Sequence, residues 1–251
     1  MENKVCVFVD GENFRKSIEK LFEKEFDKND YLPKNADWGK LFDWVVKEAS
    51  AGDGKRFRTY WYVIQYIDFC PNKFPYAEIH AEELKKLLSN HTPFKDEFDK
   101  IGDEESLKTR MIEIRTDLSE IRNRMTKRFN GWITIQNGIS QKHQSLEFRR
   151  AGAILYNLFD KTLGREKAVD VKLAVDLIAL HNIYDMAVIV SGDQDYVPAV
   201  QIVKDLGKKV INVAFTTRSG ELMPGGAKRL NHITDWSIKI PYAQLKGFLN
   251  L

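Results

Sequence analysis

The chain has few cysteines, no long apolar run and no excess of one charge. Cys6 and Cys70 are the only cysteines among 251 residues, and neither belongs to a CxxC pair or a Cys/His cluster. A structural zinc site is therefore not expected, and nothing indicates an oxidising compartment, although a disulfide between the two stays open. No apolar run approaches the 18 or so residues of a membrane span, and the one near the start is too short for a signal peptide. We expect a cytoplasmic protein that does not enter a membrane.

Lysine and arginine number 39 against 36 aspartates and glutamates, a net charge of +3. This balance excludes a polycation and an acidic tail protein, but a basic face for nucleic acid can exist within a near-neutral total. With 43% hydrophobic residues the composition is globular. At about 150 residues per domain, the length fits one domain, 1–251, that carries an insertion.

Continuous apolar runs alternate with segments of helical periodicity. Such runs are typical of strands buried on both faces of a parallel sheet. The pattern predicts an α/β fold, with a mostly parallel sheet flanked by helices. The predicted strands are 4–9, 58–69, 146–158, 186–190 and 209–215, and the predicted helices are 14–24, one opening at Asp37, 77–88, 168–181 and 198–206.

The middle of the chain, 71–144, differs from the rest and is predicted to be a charged helical insertion. Nine acidic and nine basic residues fall within 95–130. Apolar residues recur there at spacings of four and three, which is typical of a coiled-coil seam. The partner of this helix is left open: another helix of the chain, a second copy or another protein, through residues 103–129. The seam consists of Leu107, Met111, Ile114, Leu118, Ile121 and Met125.

Acidic turns follow two of the apolar strands. Asp10 comes after Val9, while Asp193 and Asp195 follow Val190. Ligands of open α/β sheets bind at the carboxyl ends of the strands, so these carboxylates are expected in one crevice. Carboxylates without His or Cys select a hard ion, Mg²⁺ or Mn²⁺, and one or two such ions support phosphodiester hydrolysis.

Each of these residues also has an ordinary structural interpretation. Asp after a strand often caps the next helix, and Asn13 is either a cap or a group that orients a ligand. Asp170 is a candidate N-cap of the predicted helix 168–181, and Asp176 a candidate exposed charge on it. Five carboxylates near two strand ends make the purely structural interpretation less favourable.

Three segments, in order and spacing, resemble the motifs of NYN domains, in the LabA-like branch. The resemblance covers about 4–70 and 146–240 and leaves the middle unexplained. The segments are VFVDGEN at 7–13, KAVDVKLAVD at 167–176 and VSGDQDYVP at 190–198, followed by LGKKV at 206–210.

The resemblance implies a PIN-like, Rossmann-like fold and a metal-dependent ribonuclease. On this chain it makes Asp10, Asp170 and Asp193 the central ligands of Mg²⁺ or Mn²⁺, completed by Asp195 and Asp176. With the exception of Asp176, these ligands are also the expected catalytic residues. Asn13 and Ser191 are expected to shape the site. Two departures stand out: Ala168 occupies a position that is commonly glycine, and Glu12 adds a charge that either binds metal or points away.

RNA is the expected partner, and phosphates near a metal site need cations. The weak candidates for RNA contacts are Arg15, Arg149, Lys172 and Arg218, although surface cations of this kind are ordinary. Two other functions stay open. One is a non-catalytic RNA-binding or regulatory module that dimerises through the heptad helix. The other is a phosphatase of the haloacid dehalogenase type, which fits poorly because Glu12 stands where a second aspartate is needed.

Overall fold

The computed structural model describes residues 2–27, 30–223 and 228–251, without the side chain of Arg165. The chain divides into two compact units. The bounds of the second unit differ from those of the predicted insertion 71–144, because the unit also includes residues 152–167. The insertion as an element within one domain stays a prediction. The first unit is Met1–Gln65, Trp132–Ala151 and Ala168–Leu251, and the second is Tyr66–Gly131 and Gly152–Lys167.

Strands and helices alternate along most of the chain. The strands are β1 (Asn3–Asp10), β2 (Gly54–Cys70), β3 (Leu146–Asn157), β4 (Thr162–Lys167), β5 (Met186–Val190), β6 (Lys209–Phe215) and β7 (Trp236–Ile240). The helices are α1 (Gly11–Leu21), α2 (Trp38–Ala49), α3 (Phe74–Ala77), α4 (Ala81–Ser89), α5 (Thr92–Phe98), α6 (Glu104–Lys142), α7 (Val169–Ala179), α8 (Val197–Asp205), α9 (Lys228–Ile233) and α10 (Tyr242–Leu249).

In the first unit the strand order is β3-β2-β1-β5-β6-β7. β1 pairs in parallel with β2 and β5, and β5-β6 and β6-β7 are parallel as well. Residues 5–9 of β1 and all of β5 are buried, which confirms that these apolar runs are central strands. The mostly parallel α/β fold is therefore confirmed, and the carboxyl ends of β1, β5, β6 and β7 share one edge.

Several predicted boundaries are corrected by capping. α1 begins three residues early because Asp10 accepts the amide of Asn13 and caps it. α7 is preceded by Ala168 in the left-handed region, φ +71°, so Ala168 and not Asp170 occupies the N-cap position. The predicted helix 77–88 is interrupted, since α3 ends at Ala77 and α4 begins at Ala81.

The second unit has a hydrophobic core of its own. The heptad residues of α6 from Met111 to Ile121 pack with α3 and α4 there. The seam thus has a partner within its own unit. β4 was not predicted and pairs antiparallel with β3. The core members are Phe74, Ala77, Leu84, Leu88, Met111, Ile114, Leu118, Ile121 and Leu158.

The last 16 residues form β7 and α10, neither of which is among the predicted elements. β7 extends the parallel sheet beside β6. Leu245 and Leu249 of α10 are fully buried, and the Phe248 carbonyl accepts the amide of Asp37 at 2.9 Å, at the start of α2. Within the described ranges, no helix combines the length and apolarity that a membrane crossing requires.

Candidate functional site

Asp10 is both the last residue of β1 and the N-cap of α1. Its Oδ1 accepts the backbone N–H of Asn13 at 3.0 Å. Gly11 follows in tight contact with β2, since a Cβ there would lie 2.3 Å from the Tyr62 carbonyl oxygen. No other residue fits that approach without a shift of the backbone. The capping interpretation of Asp10 is therefore confirmed, and its second carboxylate oxygen stays available for other contacts.

The second oxygen of Asp10 binds the turn after β5. The hydroxyls of Ser191 and Tyr196 each donate to Oδ2 at 3.0 Å. Ser191 Oγ also accepts the N–H of Asp193 at 3.0 Å, and Asn13 Oδ1 accepts the N–H of Gly192 at 2.9 Å. Three of these contacts, those of Asp10 with Ser191 and Tyr196 and of Asn13 with Gly192, join the first and third motifs at one edge of the sheet.

Carboxylates from all three motifs converge electrostatically on the Tyr196 hydroxyl. Its pKa is raised first by burial and then by the charges of Asp10, Asp193 and Asp170. The pKa of Asp10 is raised as well, mainly by burial and further by Asp193. The hydrogen bonds from Asn13, Ser191 and Tyr196 only partly offset this rise. The site thus concentrates negative charge around a buried carboxylate whose hydrogen bonds, within the described residues, come from a backbone amide and two hydroxyls.

Asp193, Asp195 and Asp170 lie nearer the solvent than Asp10. Asp193 is half-buried and caps the short turn Gln194–Tyr196, with Oδ1 accepting the N–H of Asp195 at 2.9 Å. Asp195 is exposed. Asp170 is half-buried in the first turn of α7, where its Oδ1 accepts the N–H of Val171 at 2.8 Å.

The fit of this site to a metal ion rests on its chemistry. Asp10, Asp170 and Asp193 offer only carboxylate oxygen, the ligand of hard divalent ions. A cation there would also compensate the charge that raises the pKa of Asp10. Across residues 2–27, 30–223 and 228–251, no three His, Cys, Asp or Glu side chains lie close enough to hold an ion as they stand. The donors fit Mg²⁺ or Mn²⁺ in kind.

Asp176 belongs to a different cluster. It accepts hydrogen bonds from Tyr62 Oη at 3.1 Å, from Lys172 Nζ at 2.8 Å and from Arg149. Burial by itself raises the pKa of Asp176, but the hydrogen bonds from Lys172 and Arg149 outweigh it and lower the pKa. In the described part of the chain, no hydrogen bond joins Asp176 to Asp10, Asp170 or Asp193.

Arg149 and Lys172, both candidates for RNA contacts, are thus brought together around Asp176. Arg149 also pairs with Glu147 at 3.0 Å and lies over the Tyr60 ring, 3.9 Å from its centroid. Because Arg149 already has two carboxylates and a ring, it is placed to hold this cluster together.

Arg15 and Glu12 contact each other on α1. The Arg15 guanidinium lies 2.6 Å from Glu12 and 3.2 Å from Glu19, and Lys16 lies 3.6 Å from Glu12. Burial raises the pKa of Glu12, and the hydrogen bond and charge of Arg15 outweigh this and lower it. The extra charge of the first motif is thus matched by cations of its own helix. Arg218 lies apart from these residues, exposed just after β6.

Sequence reasoning missed the roles of Tyr196 and Tyr62. Tyr196 lies within the third motif, one position after its last aspartate, and no role was predicted for it. Its hydroxyl reaches Asp10, which lies 186 positions earlier. Tyr62 lies in the predicted strand 58–69, and its hydroxyl donates to Asp176. A buried tyrosine usually finds a hydrogen-bond partner, but sequence does not say which one.

Comparison with known proteins gives one family match. The model of the NYN domain matches residues 98–225, or 128 of the 251 residues. The match includes Asp170, Asp193 and residues 98–144 of the middle segment, and it leaves out Asp10. Among curated proteins, none matches the chain.

One solved structure is similar over most of its length. It is the crystal structure of a protein of unknown function from Vibrio parahaemolyticus, 14% identical, with a TM-score of 0.45. The similarity covers 95% of this chain and 93% of that one. A likeness at this level says nothing about activity.

Proposed function

Because the chain belongs to the NYN domain family, whose fold is that of PIN-like nucleases, we propose that it is a metal-dependent endoribonuclease. It hydrolyses RNA phosphodiester bonds at the acidic edge of the sheet. The three motifs further support a place in the LabA-like branch. We also propose that it acts in the cytoplasm, in keeping with its low cysteine use.

The observation that carries the proposal is the junction of the three motifs. Hydrogen bonds join Asp10 and Asn13 to the turn that carries Asp193, and α7, which carries Asp170, packs against β1 and the turn Gln194–Tyr196. A structural role for Asp10 alone needs no second and third carboxylate nearby. Like charges held together favour a bound cation.

In this proposal Asp10, Asp170 and Asp193 hold the ion, with Asp195 at the exposed side. When bound, Mg²⁺ or Mn²⁺ supplies a water of lowered pKa and a positive charge for the leaving oxygen. Ser191 and Tyr196 orient Asp10, since both donate to Oδ2. Asn13 holds the turn that carries Asp193 through the Gly192 amide.

The test uses purified protein with labelled single-stranded and structured RNA and the corresponding DNA. Each is incubated with Mn²⁺, with Mg²⁺ or with EDTA. We expect cleavage of RNA only with the metal, and a loss of at least about a hundred-fold in Asp193→Asn. Asp117→Asn, an exposed aspartate on α6, is the matched control and should cleave like wild type. Equal cleavage by Asp193→Asn would overturn the proposal.

Thermal unfolding with and without Mn²⁺ gives a second, independent measurement. An ion that binds only the folded state raises the melting temperature of wild type, and less so that of Asp193→Asn. Metal binding and RNA binding without cleavage would favour the non-catalytic module.

Dimerisation through residues 103–129 stays a prediction. Much of that seam is already buried in its own unit, and analytical sedimentation would show whether a dimer forms.

A further inference from the structure

A cleft of about 600 Å³ lies at the carboxyl ends of β6 and β7. This is the edge of the sheet at which the acidic turns after β1 and β5 also stand, because all four strands run in parallel. The function proposed above makes no use of this cleft. Its lining includes Glu25, Thr216, Thr217, Arg218, Tyr242 and Lys246.

One wall of the cleft is a tight hairpin directly after β6. The Thr217 amide donates to the Glu221 carbonyl at 2.7 Å, and the Gly220 amide donates to Thr217 at 2.9 Å. Gly220 has φ +85°, a conformation that favours glycine. The Thr216 amide donates to Ile240 at 3.1 Å and so ties the hairpin to β7. Arg218 is therefore presented on a fixed turn.

The opposite wall is the first turns of α10. Tyr242 Oη donates to Glu25 Oε1 at 3.0 Å, and Lys246 Nζ lies 3.3 Å from the same oxygen. The Tyr242 ring packs on Phe22, with centroids 4.8 Å apart. Tyr242 and Lys246 are thus held in place while both stay partly exposed.

The charge of the cleft is positive. Its lining has two cations, Arg218 and Lys246, and one carboxylate, that of Glu25. Glu25 already accepts a hydrogen bond from Tyr242 and pairs with Lys246. No ion pair of the described residues includes Arg218, and its side chain is exposed. Two threonines add hydroxyls beside it. Cations with hydroxyls and a partly exposed aromatic ring form the surface that tracks a single nucleic-acid strand.

Helix α1 connects the cleft with the acidic site. It begins at Asp10, and Phe14 stacks on Phe215 at the end of β6, with centroids 5.4 Å apart. Phe22, just after the helix, contacts Tyr242. An 11-residue helix is about 16 Å long. At 3.4 Å per nucleotide of a stacked strand, that length corresponds to about five nucleotides.

We propose that this cleft binds the backbone of the single-stranded RNA substrate several nucleotides away from the scissile bond. Arg218 and Lys246 contact phosphates, and Tyr242 offers its ring to a base. The inference rests on the proposed ribonuclease function for the identity of the ligand. It concerns binding, so it is measured without cleavage.

The experiment is fluorescence anisotropy of a labelled, unstructured RNA of about 12 nucleotides, longer than the distance above requires. EDTA is present, and the salt concentration is varied. One phosphate contact on a single strand changes the salt slope by about 0.7, or about five-fold in affinity at 0.1 M salt. We expect Arg218→Ala to weaken binding by that factor and to lower the slope. Glu25→Gln removes the opposing charge and should tighten binding, while Arg124→Ala, on an exposed part of α6, should change nothing.

Opposite effects of Arg218→Ala and Glu25→Gln support the cleft, because misfolding would weaken both variants. Wild-type affinity and slope in both would overturn it. The proposal would also be overturned if Arg218→Ala weakened the binding of polyglutamate as much as it weakened the binding of RNA. That result would indicate a patch that binds any polyanion. Cleavage with Mn²⁺ is run beside the binding assay. If wild type cleaves RNA but Arg218→Ala binds RNA with unchanged affinity, the RNA-binding cleft is refuted and the ribonuclease function is not. If Arg218→Ala weakens RNA binding but wild type does not cleave RNA, the ribonuclease function is refuted and the cleft is not.

Discussion

Asp10 and Asp176 are both buried aspartates of the first unit, at 4% and 5% exposure, and each accepts a hydrogen bond from a tyrosine hydroxyl. Their surroundings differ in charge. Asp176 has Lys172 and Arg149 as cationic partners, and its pKa is lowered despite burial. The donors to Asp10 among the described residues are neutral, and its pKa is raised by burial and, to a smaller degree, by the charge of Asp193.

The difference in surroundings predicts a structural role for Asp176 and a chemical role for Asp10. A buried charge that the fold itself neutralises holds elements together, here α7, β2 and β3. A buried charge that the fold leaves without a cation needs an external one or a proton. The resemblance placed both aspartates in one acidic ring, and substitutions at the two positions test that placement.

The largest expected effect is on activity in Asp10→Asn. We expect the RNA-cleavage rate to fall at least about a hundred-fold, because the proposed metal loses its most buried ligand. The free energy of unfolding in EDTA should change by no more than about 1 kcal/mol, because the lost hydrogen bonds are offset by relief of repulsion with Asp193. Rate assays and urea titrations measure the two. Full activity would remove Asp10 from the site.

Asp176→Asn should show the reverse pattern. The free energy of unfolding should fall by about 2 kcal/mol, because a buried ion pair loses its carboxylate. The figure is below that of a fully buried pair because Arg149 and Lys172 are 21% and 44% exposed. Cleavage should stay within about ten-fold of wild type. If cleavage is abolished while stability is kept, Asp176 is a ligand after all.

The pH dependence of stability should separate the two aspartates by sign. The folded-state pKa of Asp176 is lowered, so its contribution is present above its unfolded pKa of about 3.9 and is lost as pH falls through the folded value. The pKa of Asp10 is raised, so wild type should gain stability as pH falls from that folded pKa towards about 3.9. Urea titrations in EDTA, each against its Asn variant, should give slopes of opposite sign. Equal slopes would contradict the contrast.

The smallest expected effect is a gain in stability from Ala168→Gly. Ala168 stands before α7, the helix that carries both Asp170 and Asp176, at φ +71°. Glycine adopts this conformation without the steric cost that alanine bears, and part of the gain is offset by the entropy of the unfolded chain. We expect an increase of about 1 kcal/mol in a thermal or urea melt. A loss of stability would show that the Ala168 methyl group packs usefully.

The central strands were predictable because short continuous apolar runs such as 5–9 and 186–190 are typical of strands buried on both faces of a sheet. Asp37 was correctly predicted as a helix cap, since its side chain accepts the Lys40 amide. The hairpin strand β4 and the bounds of the second unit were not predictable. The segment 162–167 lacks a strand signal in its sequence and depends on β3 for its pairing.

The order of the motifs and the parallel strands between them determined by themselves that Asp10 and Asp193 would meet at one edge. Alternating strand and helix patterns in the sequence indicate parallel strands, and the carboxyl ends of parallel strands lie at the same edge of the sheet. The charge state around each carboxylate was decided only by tertiary structure. Tyr196 reaches Asp10, and Arg149 reaches Asp176, across long stretches of chain, and burial sets how strongly such neighbours act. The difference between the two aspartates is a property of their neighbours in space.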